Sequence, residues 1–162
     1  MVAGGRFFFY VALPWIPWYP TVTMYAIDYH PLPKDLLKSA SSTDEVSQIM
    51  RRIYEENPSY WPYGLSVAHH DGGVYMVREA STRDPVGFVG WQERTRGMRK
   101  VGYYSIGILP EHRGKRLARE AVSKLLQEKA AGVDEVRALI LHTNTASRRL
   151  AESLDIPVEL LY

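Results

Sequence analysis

Ile106-Gly107-Ile108-Leu109-Pro110-Glu111-His112-Arg113-Gly114-Lys115-Arg116-Leu117-Ala118 reads as a strand end, a tight basic turn and a helix start. Pro110 has no amide proton to give to a ladder, so the strand stops there. Leu117, Ala118, Ala121, Val122, Leu125 and Leu126 then recur at helical spacing, predicting a helix from about Gly114 to Ala131. Gly132 is placed to close it as a C-terminal cap. A helix N-terminus offers unpaired amide protons and a partial positive charge, which suit a phosphate group. Gly114 lets the backbone come close to an anion. Arg113, Lys115 and Arg116 surround it with positive charge. These residues predict an anion site fit for a pyrophosphate. Neither Gly-x-x-x-x-Gly-Lys-Ser/Thr nor Gly-x-Gly-x-x-Gly is present, so the turn is not a nucleotide loop of either common type.

Working outward, the strand leading into the turn spans Lys100 to Leu109. Val136 to Leu141, after the helix, is a short continuous apolar run, as expected of a strand buried on both faces. Together they predict a strand–helix–strand unit with a parallel crossover. Upstream, Val74 to Arg78 and Val86 to Arg94 read as strands separated by turns at Asp84-Pro85 and Arg96-Gly97, an antiparallel meander. Thr21 to Tyr29 reads as a first strand. Ser42-Thr43-Asp44-Glu45 is a capping box ahead of Val46, Ile49, Met50 and Ile53, and Asn57-Pro58 ends that helix. Tyr60 to Gly64 is an aromatic loop, and His70 to Gly73 is a turn. Asn144 is a good N-cap for a last helix that turns Leu150 and Leu154 inward and stops at Pro157. The predicted order is β, α, β, β, β, α, β, α. The fold class is α/β in the α+β sense: a mixed, mostly antiparallel sheet with a central β-α-β crossover and flanking helices. Residues 1–20, aromatic and proline-rich, read as an arm; residues 21–162 read as one domain.

The chain has 162 residues, with 20 basic against 18 acidic side chains and no cysteine. The near balance of charge argues against nucleic acid and membrane surfaces as partners. Without cysteine there is no disulfide, thiolate ligand or thiol nucleophile. The histidines lack metal-ligand spacing, so no metal is expected. Phe7 to Leu13 is apolar, but the prolines and bulky aromatics after it do not suit a cleavage site, which predicts a cytoplasmic chain.

The quoted stretch resembles the cofactor motif of the GNAT acetyltransferases, Arg/Gln-x-x-Gly-x-Gly/Ala preceded by a strand ending in Pro-Glu. Arg113 matches its first position and Ala118 its last; Arg116 stands where the family has glycine. Arginine is tolerable there if the residue is already helical. Asn144 to Ile156 is similar to the family's final helix, Asn-x-x-Ser-x-x-Leu-x-x-x-Leu-Gly-Phe, in the form closest to the branch that acetylates ribosomal-protein N-termini. Asp155-Ile156 replaces the usual Gly-Phe.

The resemblance implies a fold of the GNAT type and acetyl-CoA as cofactor. The strands Lys100–Leu109 and Val136–Leu141 would splay, with the pantetheine arm between them against Ile106, Gly107, Ile108 and Leu109. The pyrophosphate would lie on amides around His112, Arg113, Gly114, Lys115, Arg116, Leu117 and Ala118. A backbone amide near Ile108 would polarise the acetyl carbonyl. Ser147 would be the acid, and Asn144 would hold the pantetheine arm. The resemblance leaves the base open, among Tyr103, Glu93 acting through a water, and His142. The acceptor would be a primary amine, on a small molecule or a protein, attacking directly in a ternary complex.

A second reading is a non-catalytic module of the same fold, with weak or no CoA binding, that assembles with partners. A third is a nucleic-acid surface built on Arg94, Arg96, Arg99 and Lys100, which the acidic residues offset. The chain has little sequence after its last helix. A sheet edge is therefore expected to need a cover, from the arm at Phe7 to Tyr19, a homodimer or another partner.

Overall fold

The computed structural model describes residues 25–28, 45–61 and 72–162. The arm, the capping-box residues Ser42 to Asp44 and the first half of the His70–Gly73 turn lie outside them, as does the aromatic loop after Trp61.

Six strands form one sheet in sequence order. They are β1 (Tyr25–Asp28), β2 (Val74–Glu79), β3 (Pro85–Arg96), β4 (Arg99–Ile108), β5 (Glu135–Leu141) and β6 (Val158–Leu161). The first four pair antiparallel, while β4 with β5 and β5 with β6 are parallel. The helices are α1 (Glu45–Glu56), α2 (Leu117–Lys129) and α3 (Thr145–Ser153). The meander and the crossover β4–α2–β5 agree with the sequence reading, and β6 is an addition to it. Its four residues carry no turn signal or long alternation, so they were legible only as a tail. They pair with Ala138 to Leu141 and so cover the edge of β5 with the chain's own backbone.

The two main helices lie on two core clusters. Val46, Ile49, Met50 and Ile53 of α1 pack with Val74, Met76 and Phe88. Leu117, Ala121, Val122 and Leu125 of α2 pack with Val89, Trp91, Tyr104 and Ile140. Alternation along β2 sends Val74 and Met76 to α1 and Tyr75 and Val77 to the α2 cluster. Each such apolar side chain is worth roughly 1.5–3 kcal/mol when fully buried, far more than a surface ion pair. This packing therefore fixes the helices that carry the site.

Two local expectations differ. α2 begins at Leu117, not Gly114, because the turn before it is not helical. Gly132 is not left-handed; α2 ends in a 3-10 turn over Ala130–Gly132. Glu45 accepts hydrogen bonds from Arg78 of β2, which ties the start of α1 to the sheet.

Candidate active site

β4 and β5 pair only from Val101 to Tyr103 against Glu135 to Arg137. Beyond Tyr103 the ladder ends and the strands part. The edge of β4 left behind can be read from its other side. Leu109 donates its amide to Val86 at 2.9 Å, and the Trp91 amide turns away from β4 to Gly73, also at 2.9 Å. In an antiparallel ladder, hydrogen-bonded and non-bonded pairs alternate. Ile108, opposite Gly87, and Ile106, opposite Val89, are then non-bonded with β3. Their amides and carbonyls face the opening. Arg113 agrees with this, since its Nε donates to the carbonyl of Ile108 at 2.9 Å. The opening belongs to a cavity of about 810 Å³, lined by Tyr104 to Ile108 on one side and Ala138 to Leu141 on the other.

The basic turn closes one end of this cavity. Gly114 has φ +77° and Arg116 has φ +62°. Left-handed residues separated by one of ordinary hand turn backbone N–H groups towards a common hollow, a shape that binds anions. Arg116 is the residue before α2, and no side chain caps that helix. The first intrahelical bond runs from the Glu120 amide to the Arg116 carbonyl at 3.2 Å. The amides of Leu117, Ala118 and Arg119 thus have no intrahelical acceptor. Arg116 is not helical as expected: it occupies the conformation that suits glycine, at a cost of roughly 1–2 kcal/mol. Its side chain is exposed, lines the cavity, and makes no hydrogen bond or ion pair among the described residues.

The other basic residues differ from one another. Arg113 lines the cavity but gives both terminal nitrogens to Glu56, at 2.8 and 2.5 Å. A second bridge, Arg52 to Glu111 at 2.7 Å, also joins α1 to this turn. Lys115 does not line the cavity, and neither does Leu109; His112 does, with Nδ1 buried and without a partner among the described residues.

The head of α3 forms another wall. Asn144 caps the helix by accepting the Ser147 amide at 3.1 Å. Its side-chain NH2 remains to donate. Both residues line the cavity, and the Ser147 hydroxyl makes no hydrogen bond among the described residues.

The three expected proton acceptors are placed differently. Tyr103 lines the cavity, but its hydroxyl is buried. Glu93 lies off the cavity; it accepts from Trp91 Nε1 at 3.0 Å and pairs with Lys100 at 2.6 Å. The bonds from Lys100, then Trp91, hold its carboxyl below the usual range, which makes it a poorer base. His142 also lies off the cavity, stacked on Tyr162 with ring centres 5.2 Å apart. As placed, Glu93 and His142 do not line the cavity, and Tyr103 does.

Sequence reasoning missed Glu56, Gln92 and Arg94, which all line the cavity. Glu56 ends an ordinary amphipathic helix, and only the tertiary fold brings it to Arg113. Arg94 had been grouped in a basic surface, which ion pairs break up: Arg96 with Glu159, Arg99 with Glu135 and Lys100 with Glu93. No group of three metal-ligating side chains lies together among the described residues, and no described helix is long and apolar enough to cross a membrane.

The family model described as "Acetyltransferase (GNAT) domain" matches residues 20–156. No curated protein matches the chain. Among solved structures, a Trypanosoma brucei acetyltransferase aligns with TM-score 0.54 and 16% identity, over 85% of this chain and 96% of that one. A Vibrio fischeri ribosomal-protein-S5-alanine acetyltransferase aligns with TM-score 0.55 and 15% identity, over 81% of this chain and 78% of that one. An N-acetyltransferase from Staphylococcus aureus Mu50 gives TM-score 0.55 and 18% identity, over 81% and 82% of the two chains. At such identities the structures speak for the fold, and the match over most of the sequence speaks for descent. The chain belongs to the GNAT acetyltransferase family.

Proposed function

We propose that the chain transfers acetyl from acetyl-CoA to a primary amine by direct attack within a ternary complex. One observation carries the reading: the uncapped amides at the head of α2 and the unpaired edge of β4 open into the same cavity. The residues fit the cofactor's chemistry. A diphosphate suits the hollow between Gly114 and Ala118, with Arg116 supplying charge. An extended amide-bearing arm suits the amides of Ile106 and Ile108 and the Ile106 carbonyl, and the Asn144 side chain adds a donor.

Acetyl-CoA, when bound, supplies an activated thioester. The amides of Ile106 and Ile108 are the donors facing the opening, so one of them would polarise the acetyl oxygen. Ser147, with its hydroxyl on the opposite wall, would give a proton to the departing thiolate and regain one from solvent. The chain holds the two reactants together, which is itself a large part of catalysis. With Tyr103, Glu93 and His142 placed as they are, the amine's proton passes to solvent in the cavity.

Titration with acetyl-CoA tests this. Heat stabilisation, with thiol release on adding an amine, is the expected result. No thermal shift at millimolar acetyl-CoA overturns it. The want of an available base favours the non-catalytic module as second reading, and a thermal shift with no thiol release across a broad amine panel would favour that module.

A further inference from the structure

Arg94 sits at the end of the cavity away from the phosphate turn. It pairs with Val101, whereas the turn follows Ile108. Seven residues of strand put these points roughly 23 Å apart. A diphosphate at the head of α2 therefore does not account for Arg94.

Its guanidinium is held from two sides. Nη2 donates to Gln92 Oε1 at 3.0 Å, and the group lies over the Tyr103 ring, 5.4 Å from its centre. The neighbouring cations all have carboxylates: Glu159 for Arg96, Glu135 for Arg99 and Arg137, and Glu93 for Lys100. Arg94 has none among the described residues. Among the described residues lining the cavity, Arg94, Arg113, Arg116 and Arg119 stand against one carboxylate, Glu56, which Arg113 occupies. A polycationic amine would meet repulsion from these guanidiniums. A guanidinium already oriented loses little freedom on forming paired hydrogen bonds with a carboxylate or phosphate.

We infer that the acceptor amine carries an anionic group, carboxylate or phosphate, which Arg94 binds on its Tyr103 platform. This rests on the acetyltransferase reading, because it assigns the acceptor side of that site. The test uses matched pairs: ethanolamine phosphate against ethanolamine, and free amino acids against their amides, with spermidine as polycation. Binding to the full chain is measured by calorimetry, and thiol release is followed in parallel. The acidic member of at least one pair should bind about tenfold tighter than its neutral twin, the scale of one charge-assisted contact. The phosphate and carboxylate arms show which anion is meant. Arg94→Ala should bring the pair to parity, and Arg94→Lys should restore part of the preference. The thermal shift given by acetyl-CoA should stay unchanged in both variants. Equal binding of the twins, tighter binding of spermidine, or a preference that survives Arg94→Ala overturns the inference. Loss of the acetyl-CoA shift in the unaltered protein would be a different failure, that of the acetyltransferase reading.

Discussion

Glu56, the last residue of α1, takes both terminal nitrogens of Arg113, which stands 57 residues later in the turn before α2. The pair is half-exposed, with side-chain accessibilities of 49% and 36%, so screening keeps its worth to stability small. Glu56→Gln should cost about 0.5–1 kcal/mol in urea unfolding. It also removes a negative charge beside the anion hollow. Acetyl-CoA should then bind several-fold tighter at low salt, with the gain fading at high salt. Weaker binding in calorimetry would mean that Glu56 positions the turn.

Arg116 at φ +62° predicts an uncommon stabilising substitution. Arg116→Gly should raise stability by up to about 1 kcal/mol, since glycine avoids the left-handed cost but has more unfolded freedom to lose. Arg116→Ala should bring no such gain, because alanine meets the same backbone penalty. Equal denaturation midpoints for the two variants would refute this.

Two glycines should fail for different reasons. A Cβ at Gly102 would stand 2.1 Å from the ring of Trp91, which is fully buried. Gly102→Ala should therefore cost about 3 kcal/mol or more through overpacking. A Cβ on Gly114 meets nothing within 4 Å, but φ is +77°. Gly114→Ala should lose only about 1–2 kcal/mol of stability, while weakening acetyl-CoA binding by disturbing the hollow. Thermal unfolding with and without acetyl-CoA separates the two effects.

Tyr104 has a buried hydroxyl without a partner among the described residues, and burial pushes its pKa up to about 12. The unfolded tyrosine ionises near 10. The folded state holds its proton longer, so stability is intact below about pH 10 and falls as pH rises towards 12. Tyr104→Phe should remove this alkaline loss and, by deleting an unsatisfied hydroxyl, should leave neutral-pH stability equal or up to about 1 kcal/mol higher. A Tyr104→Phe protein markedly less stable at pH 7 would show that the hydroxyl has a partner.

If the amine's proton goes to solvent, kcat/KM should rise with pH along the acceptor's own ionisation. Two acceptors whose amines differ in pKa should give profiles displaced by that difference. A break at the same pH for both would reveal a base on the protein.

The sequence made the crossover legible because two unlike periodicities, strand and helix, meet at Pro110. Asn144 was legible because a cap acts within three residues, and the structure has it accepting the Ser147 amide. Arg116 was misjudged: helix propensity speaks for a residue inside a helix, and this one stands just before it in a left-handed turn. Glu93 and His142 had suitable chemistry, but only the sheet register and the stacking on Tyr162 show them turned away from the cavity. Glu56 and Arg94 depend on contacts between distant segments, which no local pattern encodes.

Because the ladder between β4 and β5 stops after three residue pairs, the free rim of Ile106 and Ile108 exists before anything binds. An arriving extended chain breaks no internal hydrogen bond to use those two amides; the Ile108 carbonyl already accepts from Arg113. It docks as an additional strand would, on a sheet that folding has already left one strand short. Solvent exchange at those two amides should accordingly be fast in the empty protein and slow once the gap is filled.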